Sequence, residues 1–316
     1  MQLEQALDVF LRQYKPSTRV NYDGILRPLI EWLGTTRDVE RITAIELQEW
    51  INKLNDQATR FEGHPKRPAA EGQLSAHTIH GRIKTMRAFF NWLVKMDVLP
   101  SSQNPVRNIK QKTLPRQIAS SRIATDEEIH LITMATFGNV RDYAIVLFMR
   151  DTGCRAMEVA GLRLDKLNLS NLTAEVLGKG SVWRDAFFGE ECAMAVQRWL
   201  TGRPDCTHEY VFSATRKPYA PLTPRAVSDM IERAALKAGI ERTIHSHHIR
   251  HWRATNLVQQ NIDVPTAAAA LGDSIPVFEA HYLHTTRERV QEAVRRTAYQ
   301  SKSSPAKNII RLDDAI

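Results

Sequence analysis

Cysteine is scarce in this 316-residue chain, with Cys154, Cys192 and Cys206 the full set, and no two of them stand at C-x-x-C spacing. So odd and sparse a set excludes a disulfide framework and a cysteine-based zinc site, and it suits a reducing compartment. Long apolar runs are also missing. None approaches the roughly 18–20 residues that a membrane span needs. The opening stretch, "MQLEQALDVFLRQYKPS", carries Glu4 and Asp8 inside its apolar pattern, unlike a secretory signal. These absences lead to the expectation of a soluble, cytoplasmic protein with no membrane partner.

Acidic excess is absent as well. The chain holds 43 Lys+Arg against 35 Asp+Glu, a formal charge of +8. Nearly all of the surplus lies in residues 1–122, whose net charge is +7, while the remainder carries +1. A basic segment joined to a nearly neutral one fits a clamp on a polyanion. Hydrophobic residues make up 43%, enough for packed cores.

Periodicity supplies the architecture. Leu3, Leu7, Phe10, Leu11 and Tyr14 recur at helical spacing until Pro16 and Ser17 interrupt them. "STRVNYDGILRPLIEWLG" predicts a second helix behind a Ser or Thr cap, stopped at Gly34. Thr43 with Glu46 three residues on is a capping-box pattern opening a third. The polar, Gly- and Pro-containing stretch 59–73 reads as a loop. A fourth long helix follows from Ser75. The stretch from Pro100 to Arg122, with three prolines and no periodicity, is the candidate linker. Beyond it, "TDEEIHLITMAT" has a Thr cap and an acidic first turn, and "RDYAIVLFMRDTG" reads as a buried helix ending at Gly153. Short β-type runs surround "GKG" at 178–180, as in a hairpin or three-stranded meander. Helices then resume over 191–201, 223–239, 247–260 and 264–271, with a last amphipathic segment "TTRERVQEAVRRTAYQ". The expected class is mainly α with a small antiparallel β-sheet. The expected divisions are a helical domain over 1–112, a linker over 113–123, a second domain over 124–300 and a flexible tail over 301–316.

The densest cluster of chemistry is "HSHHIRHWRAT", His245 to Thr255, with four histidines and two arginines. His247 and His251 are four apart, on one face of a helix. The zinc pattern H-E-x-x-H nevertheless fails, because residue 248 is His where the Glu should stand. No carboxylate or cysteine stands nearby at ligand spacing, so neither a metal nor a cofactor is expected. A phosphate site asks for fixed positive charge and hydrogen-bond donors, and "HHIR" supplies them in the form H-x-x-R through His247 and Arg250. Upstream, "TGCRAMEVAGLRLDKL" places Arg155 after a helix-ending glycine, with Glu158 three residues later. Lys179 sits between two glycines at the hairpin tip. Tyr282 lies 32 positions beyond Arg250 in "LGDSIPVFEAHYLH".

Each of these residues has a plainer reading alone: a cation at a helix end, a turn lysine, a helix-face carboxylate, a core tyrosine. In this order and spacing they resemble the tyrosine recombinase, or phage integrase, family. The resemblance covers nearly the whole chain, since "STRVNYDGILRPLIEWL" and "SAHTIHGRIKTMRAFFNWLV" look like that family's helical core-binding domain. It implies a Xer- or Cre-like enzyme of two domains, one core-binding and one a mixed α/β catalytic domain of the DNA breaking-rejoining type. Such an enzyme needs no metal or ATP, acts on double-stranded DNA at a specific site, and assembles as a synaptic tetramer, docking its terminal helix on a neighbouring protomer.

The same resemblance implies the roles. Arg155 and Arg250 would clamp the phosphate, which planar guanidiniums do bidentately. His247 would contact the same phosphate and share in proton transfer. Lys179 would protonate the leaving 5′-oxygen, and Glu158 would hold Arg155 by ion pairing. Tyr282 would attack, leaving a 3′-phosphotyrosine that stores the bond energy for rejoining. His251 is expected to pack under the site. One position departs from the pattern: after "LG" the family usually carries His, and here stands Asp273. An ionised aspartate repels a phosphate at close range. Asp273 is therefore expected either to point away, capping the next helix or pairing with His247 or an arginine, or to be protonated. Asp273 also keeps open a non-catalytic DNA-binding protein on the same fold. A type IB topoisomerase-like enzyme would share the chemistry, and a metal-dependent nuclease would differ in dying with chelator.

Overall fold

The fold is described from a computed structural model, and the residues described are 1–57, 59–60, 70–110, 114, 118–178 and 180–282. The chain divides into two compact units, Met1–Pro115 and Arg116–Ile316. Among the described residues no helix is long and apolar enough to cross a membrane.

Four helices build the first unit: α1 (Leu3–Arg12), α2 (Pro16–Leu33), α3 (Ala44–Asp56) and α4 (Ala76–Lys95). Helix α1 buries Leu3, Ala6, Leu7, Phe10 and Leu11, a stripe spaced three and four apart. Its Phe10 ring meets Phe89 and Trp92 of α4, each with centroids 5.3 Å away and edge-on. The expected break between the first two helices is present, but it falls at residues 13–15 and Pro16 and Ser17 lie beyond it. Pro16 opens α2 as the first helical residue, where its missing N–H costs nothing, and no side chain caps that end. The capping box of α3 forms, with Thr43 accepting from the Glu46 N–H and Glu46 accepting from the Thr43 N–H. Strands β1 (Thr59–Arg60) and β2 (Ala70–Glu71) pair antiparallel inside the stretch expected as a loop, so its ends form a short ladder. Leu99, Val106 and Ile109 are buried in this unit's core, so much of the proline-containing stretch after α4 is packed against it.

In the second unit, α5 (Asp126–Thr136) starts at a capping box between Thr125 and Glu128. Helix α6 (Val140–Thr152) buries six consecutive residues from Ala144 to Met149, so it is surrounded by protein on all sides. Then come α7 (Ala156–Ala160) and an antiparallel sheet of β3 (Leu167–Asn168), β4 (Thr173–Leu177) and β5 (Trp183–Phe187), in spatial order β3-β4-β5. Thr173 faces Phe187 and Leu177 faces Trp183, which puts Gly178 and Gly180 at the hairpin tip. Helices α8 (Glu190–Gly202), α9 (Pro224–Lys237), α10 (Ser246–Gln259), α11 (Val264–Leu271) and α12 (Ile275–Tyr282) follow among the described residues. The sequence reading gave α12 no helix of its own. Arg242 donates to the carbonyls of Ser121 and Ile123 and pairs with Glu128, while Ile118 packs against a cluster on α10–α12. Residues 118–123 of the expected linker thereby pack as part of the second unit. The amphipathic segment expected at 285–300 and the tail over 301–316 lie outside the described residues.

Candidate active site

Two left-handed glycines set the frame. Helix α6 ends at Gly153 with φ 60°, and α11 ends at Gly272 with φ 65°. A Cβ on Gly153 would stand 2.3 Å from Leu271 Cδ2, and one on Gly272 would stand 2.2 Å from Arg184 Cδ. Only glycine fits either place. At the second, the Gly272 N–H reaches the Ala269 carbonyl and the Asp273 N–H reaches that of Ala268, which fixes Asp273 just past the helix. Gly272→Ala is accordingly expected to destabilise the protein by about 1–3 kcal/mol. Thermal unfolding checks this, and an unchanged Tm would mean that Arg184 can yield.

Arg250, on α10, is 3% exposed and ties these two helix ends together. Its Nη1 donates to the Gly153 carbonyl and its Nη2 to the Leu271 carbonyl, both at 2.8 Å. A cation is favoured there, because helix C-termini carry partial negative charge. Nη2 also lies 2.9 Å from Asp273 Oδ2.

Arg155 precedes α7, and its backbone N–H donates to Glu158 Oε2 at 2.9 Å. Its guanidinium donates from Nη1 to Glu158 Oε1 at 3.0 Å and from Nη2 to Asp273 Oδ1 at 2.7 Å. Asp273 thus spans Arg155 and Arg250 with one oxygen on each; it pairs with arginine, as one expected arrangement had it, but it turns toward the two guanidiniums and not away from them, because two cations draw the carboxylate in. Glu158 is 1% exposed. Burial opposes its ionisation. The Arg184 charge and hydrogen bond, the Arg155 N–H and the Arg250 charge outweigh that cost and hold the carboxyl below its ordinary pKa.

Arg184 was not singled out from the sequence. It lies on β5 and donates from Nη2 to Glu158 Oε2 at 2.8 Å and from Nη1 to the Ala270 carbonyl at 3.1 Å. It thereby joins the strand just past the hairpin tip to the buried carboxylate and to α11. The available signal was its register: it shares the inner face of β5 with the buried Ala186.

The histidine cluster sorts itself by helical spacing. His248 Nδ1 accepts from the His245 backbone N–H at 3.0 Å, a local contact at the start of α10. His247 and His251 stack with centroids 6.1 Å apart, on the face that also presents Arg250. Among the described residues, no three His, Cys, Asp or Glu gather as metal ligands would. His247 keeps access to solvent, and its pKa is lowered by desolvation first and then by Arg250 and Arg155.

Tyr282, the last described residue, ends α12 at 8% exposure among Ala254, Leu257, Leu271 and Phe278. Its Oη lies 2.6 Å from His251 Nδ1. Burial, and then the Asp273 charge, push the phenol up to about 12 against the pull of Arg250 and Arg155. His251 is pushed down to about 4, by burial first and then by His247 and Arg250. The pair at neutral pH is therefore a protonated phenol and a neutral imidazole sharing one hydrogen bond. His251 does more than pack beneath the site, since it grips the hydroxyl. Lys179, the remaining residue picked from the sequence, lies outside the described residues.

The His251 shift has a consequence for stability. The unfolded chain takes up this proton near 6.5 and the folded chain near 4, so stability falls as pH drops through that window. The loss is at most about 3 kcal/mol, and His247 and His248 shift in the same direction. Urea midpoints measured from pH 7 to 4.5 should fall less steeply in His251→Asn than in the parent, whereas parallel curves would contradict the assignment.

Comparison with known proteins identifies the family of the chain. The model of the phage integrase family matches residues 122–289. A tyrosine recombinase of Pseudothermotoga lettingae is 24% identical over 287 residues, 90% of this chain and 93% of that protein. Tyrosine recombinase XerD of Bifidobacterium longum is 27% identical over 292 residues, 87% and 89% of the two chains. Among solved structures, the Tn1549 transposon integrase in complex with transposon right end DNA superposes with a TM-score of 0.71 at 17% identity, covering 95% of this chain and all of that one. The XerH recombinase bound to its difH substrate gives a TM-score of 0.66 at 20% identity, with 91% and 83% covered. These similarities in structure establish the fold.

Proposed function

The chain belongs to the phage integrase family, and from that premise we propose that it is a site-specific DNA recombinase that cleaves and rejoins strands through a 3′-phosphotyrosine on Tyr282. The observation that carries this reading is the meeting of Arg155 and Arg250, 95 positions apart, on the two oxygens of one anionic side chain. Guanidiniums able to hold a carboxylate so can hold the non-bridging oxygens of a phosphodiester, and the charge that gathers there in the transition state is what they stabilise. A guanidinium supplies fixed positive charge as a residue type, so a clamp of two needs no metal.

In this reading Glu158 and Arg184 brace Arg155, and His247 donates to the same phosphate. Tyr282 attacks phosphorus, its proton passing to the neutral His251 beside its hydroxyl as the P–O bond forms. The bond to the 5′-oxygen breaks, and Lys179 supplies the proton that oxygen needs. Reversal with another strand's 5′-hydroxyl completes the exchange. Double-stranded DNA is the partner, with backbone contacts from the basic first unit supplying much of the affinity. Four protomers on two duplexes would form the synaptic assembly.

The test is a nicked duplex bearing the site enriched from random DNA by the purified protein. A covalent protein–DNA adduct is expected to accumulate, and excess chelator should leave its yield unchanged, because guanidiniums supply the charge. A second reading, a DNA-binding protein without catalysis, draws on Asp273 lying between the arginines and on the small exposure of Tyr282. Tight binding with no adduct would favour it, and an adduct lost on chelation would point instead to a metal-dependent enzyme.

A further inference from the structure

We propose that Asp273 is an internal competitor for the phosphate seat, so that the clamp accepts a DNA phosphate only as this carboxylate withdraws. The proposal rests on the reading of Arg155 and Arg250 as a phosphate clamp. Asp273 takes the Nη2 group of each arginine, at 2.7 Å from Arg155 and 2.9 Å from Arg250. A carboxylate and a phosphate both offer paired oxygens to such donors, and two anions cannot share the seat at that range without strong repulsion.

The rest of the network decides whether Asp273 is an occupant or a prop. Arg155 keeps the Oε1 atom of buried Glu158 through Nη1. Arg250 keeps the Gly153 and Leu271 carbonyls at the two helix ends. Glu158 is braced in turn by Arg184. Both guanidiniums therefore hold their places without Asp273, whose bonds add occupancy more than position. Its way out is also short. The Asp273 side chain is 10% exposed, and its neighbours Gly272 and Ser274 lie at the surface. A turn about the Asp273 side chain would carry the carboxylate toward that exposed edge.

Competition of this kind lowers apparent affinity by the fraction of molecules whose seat is free. If Asp273 fills the seat nine times in ten, removing it tightens phosphate binding by roughly tenfold. The same fraction scales any rate that requires the seat, which makes Asp273 a brake on the first encounter with DNA. A histidine there, as the family usually carries, would add a donor where this chain supplies an acceptor.

Inorganic phosphate is the probe, titrated calorimetrically at pH 7 into the full-length protein, Asp273→Asn, Asp273→Ala and the double variant Arg155→Ala/Asp273→Asn, each first shown to melt cooperatively. The expected result is binding at least about tenfold tighter in both single variants, with the gain lost in the double variant. Affinity equal to or weaker than the parent's in two folded single variants would overturn the proposal and make Asp273 a prop. So would a gain that survives Arg155→Ala, since phosphate would then sit elsewhere. The measurement uses neither DNA nor Tyr282, so it stands apart from failure of the recombinase reading, which would appear as a missing covalent adduct.

Discussion

Tyr282→Phe is expected to form no covalent adduct on the nicked duplex, a loss of at least roughly 10⁴-fold in strand cleavage, while still binding the DNA. The aromatic ring stays in its apolar cluster beside Phe278, so packing is retained. What disappears is the hydroxyl that would become the ester oxygen, together with its 2.6 Å bond to His251. Leaving a partly buried imidazole nitrogen without its partner costs about 1–2 kcal/mol, a modest drop in Tm that separates lost chemistry from lost fold. Gel-based counting of adduct against bound complex reads both outcomes. An adduct that persists at the parent's rate would mean that another residue is the nucleophile.

Arg250→Ala is expected to do double damage. Arg250 is almost wholly buried and serves two helix-end carbonyls and Asp273 at once. Its removal strands those acceptors and leaves Asp273 with Arg155 alone, at a cost of about 3–5 kcal/mol in stability. Among folded molecules cleavage should also fall, by at least about 10²–10³-fold, the usual worth of one preorganised donor to a transition-state oxygen. Lysine is expected to rescue little of either effect, because one ammonium cannot reproduce the planar fork that meets Gly153, Leu271 and the anion together. Urea unfolding and single-turnover cleavage separate the two losses. Stability lost with cleavage intact would reduce Arg250 to a structural tie.

Much of this was legible in the chain, for local reasons. Thr43–Glu46 and Thr125–Glu128 announce helix starts because a capping box is a contact over three residues. The inner stripe of α1 and the glycine ends at Gly34 and Gly153 follow from period and from chirality. The misreadings share a different cause. Pro16 looked like a break because proline ends and starts helices alike, and only packing shows which. Helix α12 is eight residues long and mostly exposed, with Phe278 and Tyr282 its buried residues, so its apolar pattern was too short to register. The candidate site was half visible. Arg155, Glu158, His247, Arg250 and Tyr282 could be named from order and spacing, whereas Arg184 could not, since its partners lie 26 and 86 positions away. The bridge from Asp273 to Arg155 spans 118 positions and belongs to the folded chain alone. The His251 grip on Tyr282 was likewise hidden, although the helical step from Arg250 to His251 was plain.

The central claim is that the Tyr282 phenol reaches the phosphorus held by Arg155 and Arg250. Peptide mass spectrometry of the trapped protein–DNA adduct tests it most directly. The account predicts one linkage, a DNA 3′-phosphate esterified to Tyr282, formed in the parent protein and absent when either arginine is replaced by alanine. A linkage to any other side chain, or to a 5′-phosphate, would contradict it, as would a protein that saturates its site and never becomes joined to the DNA.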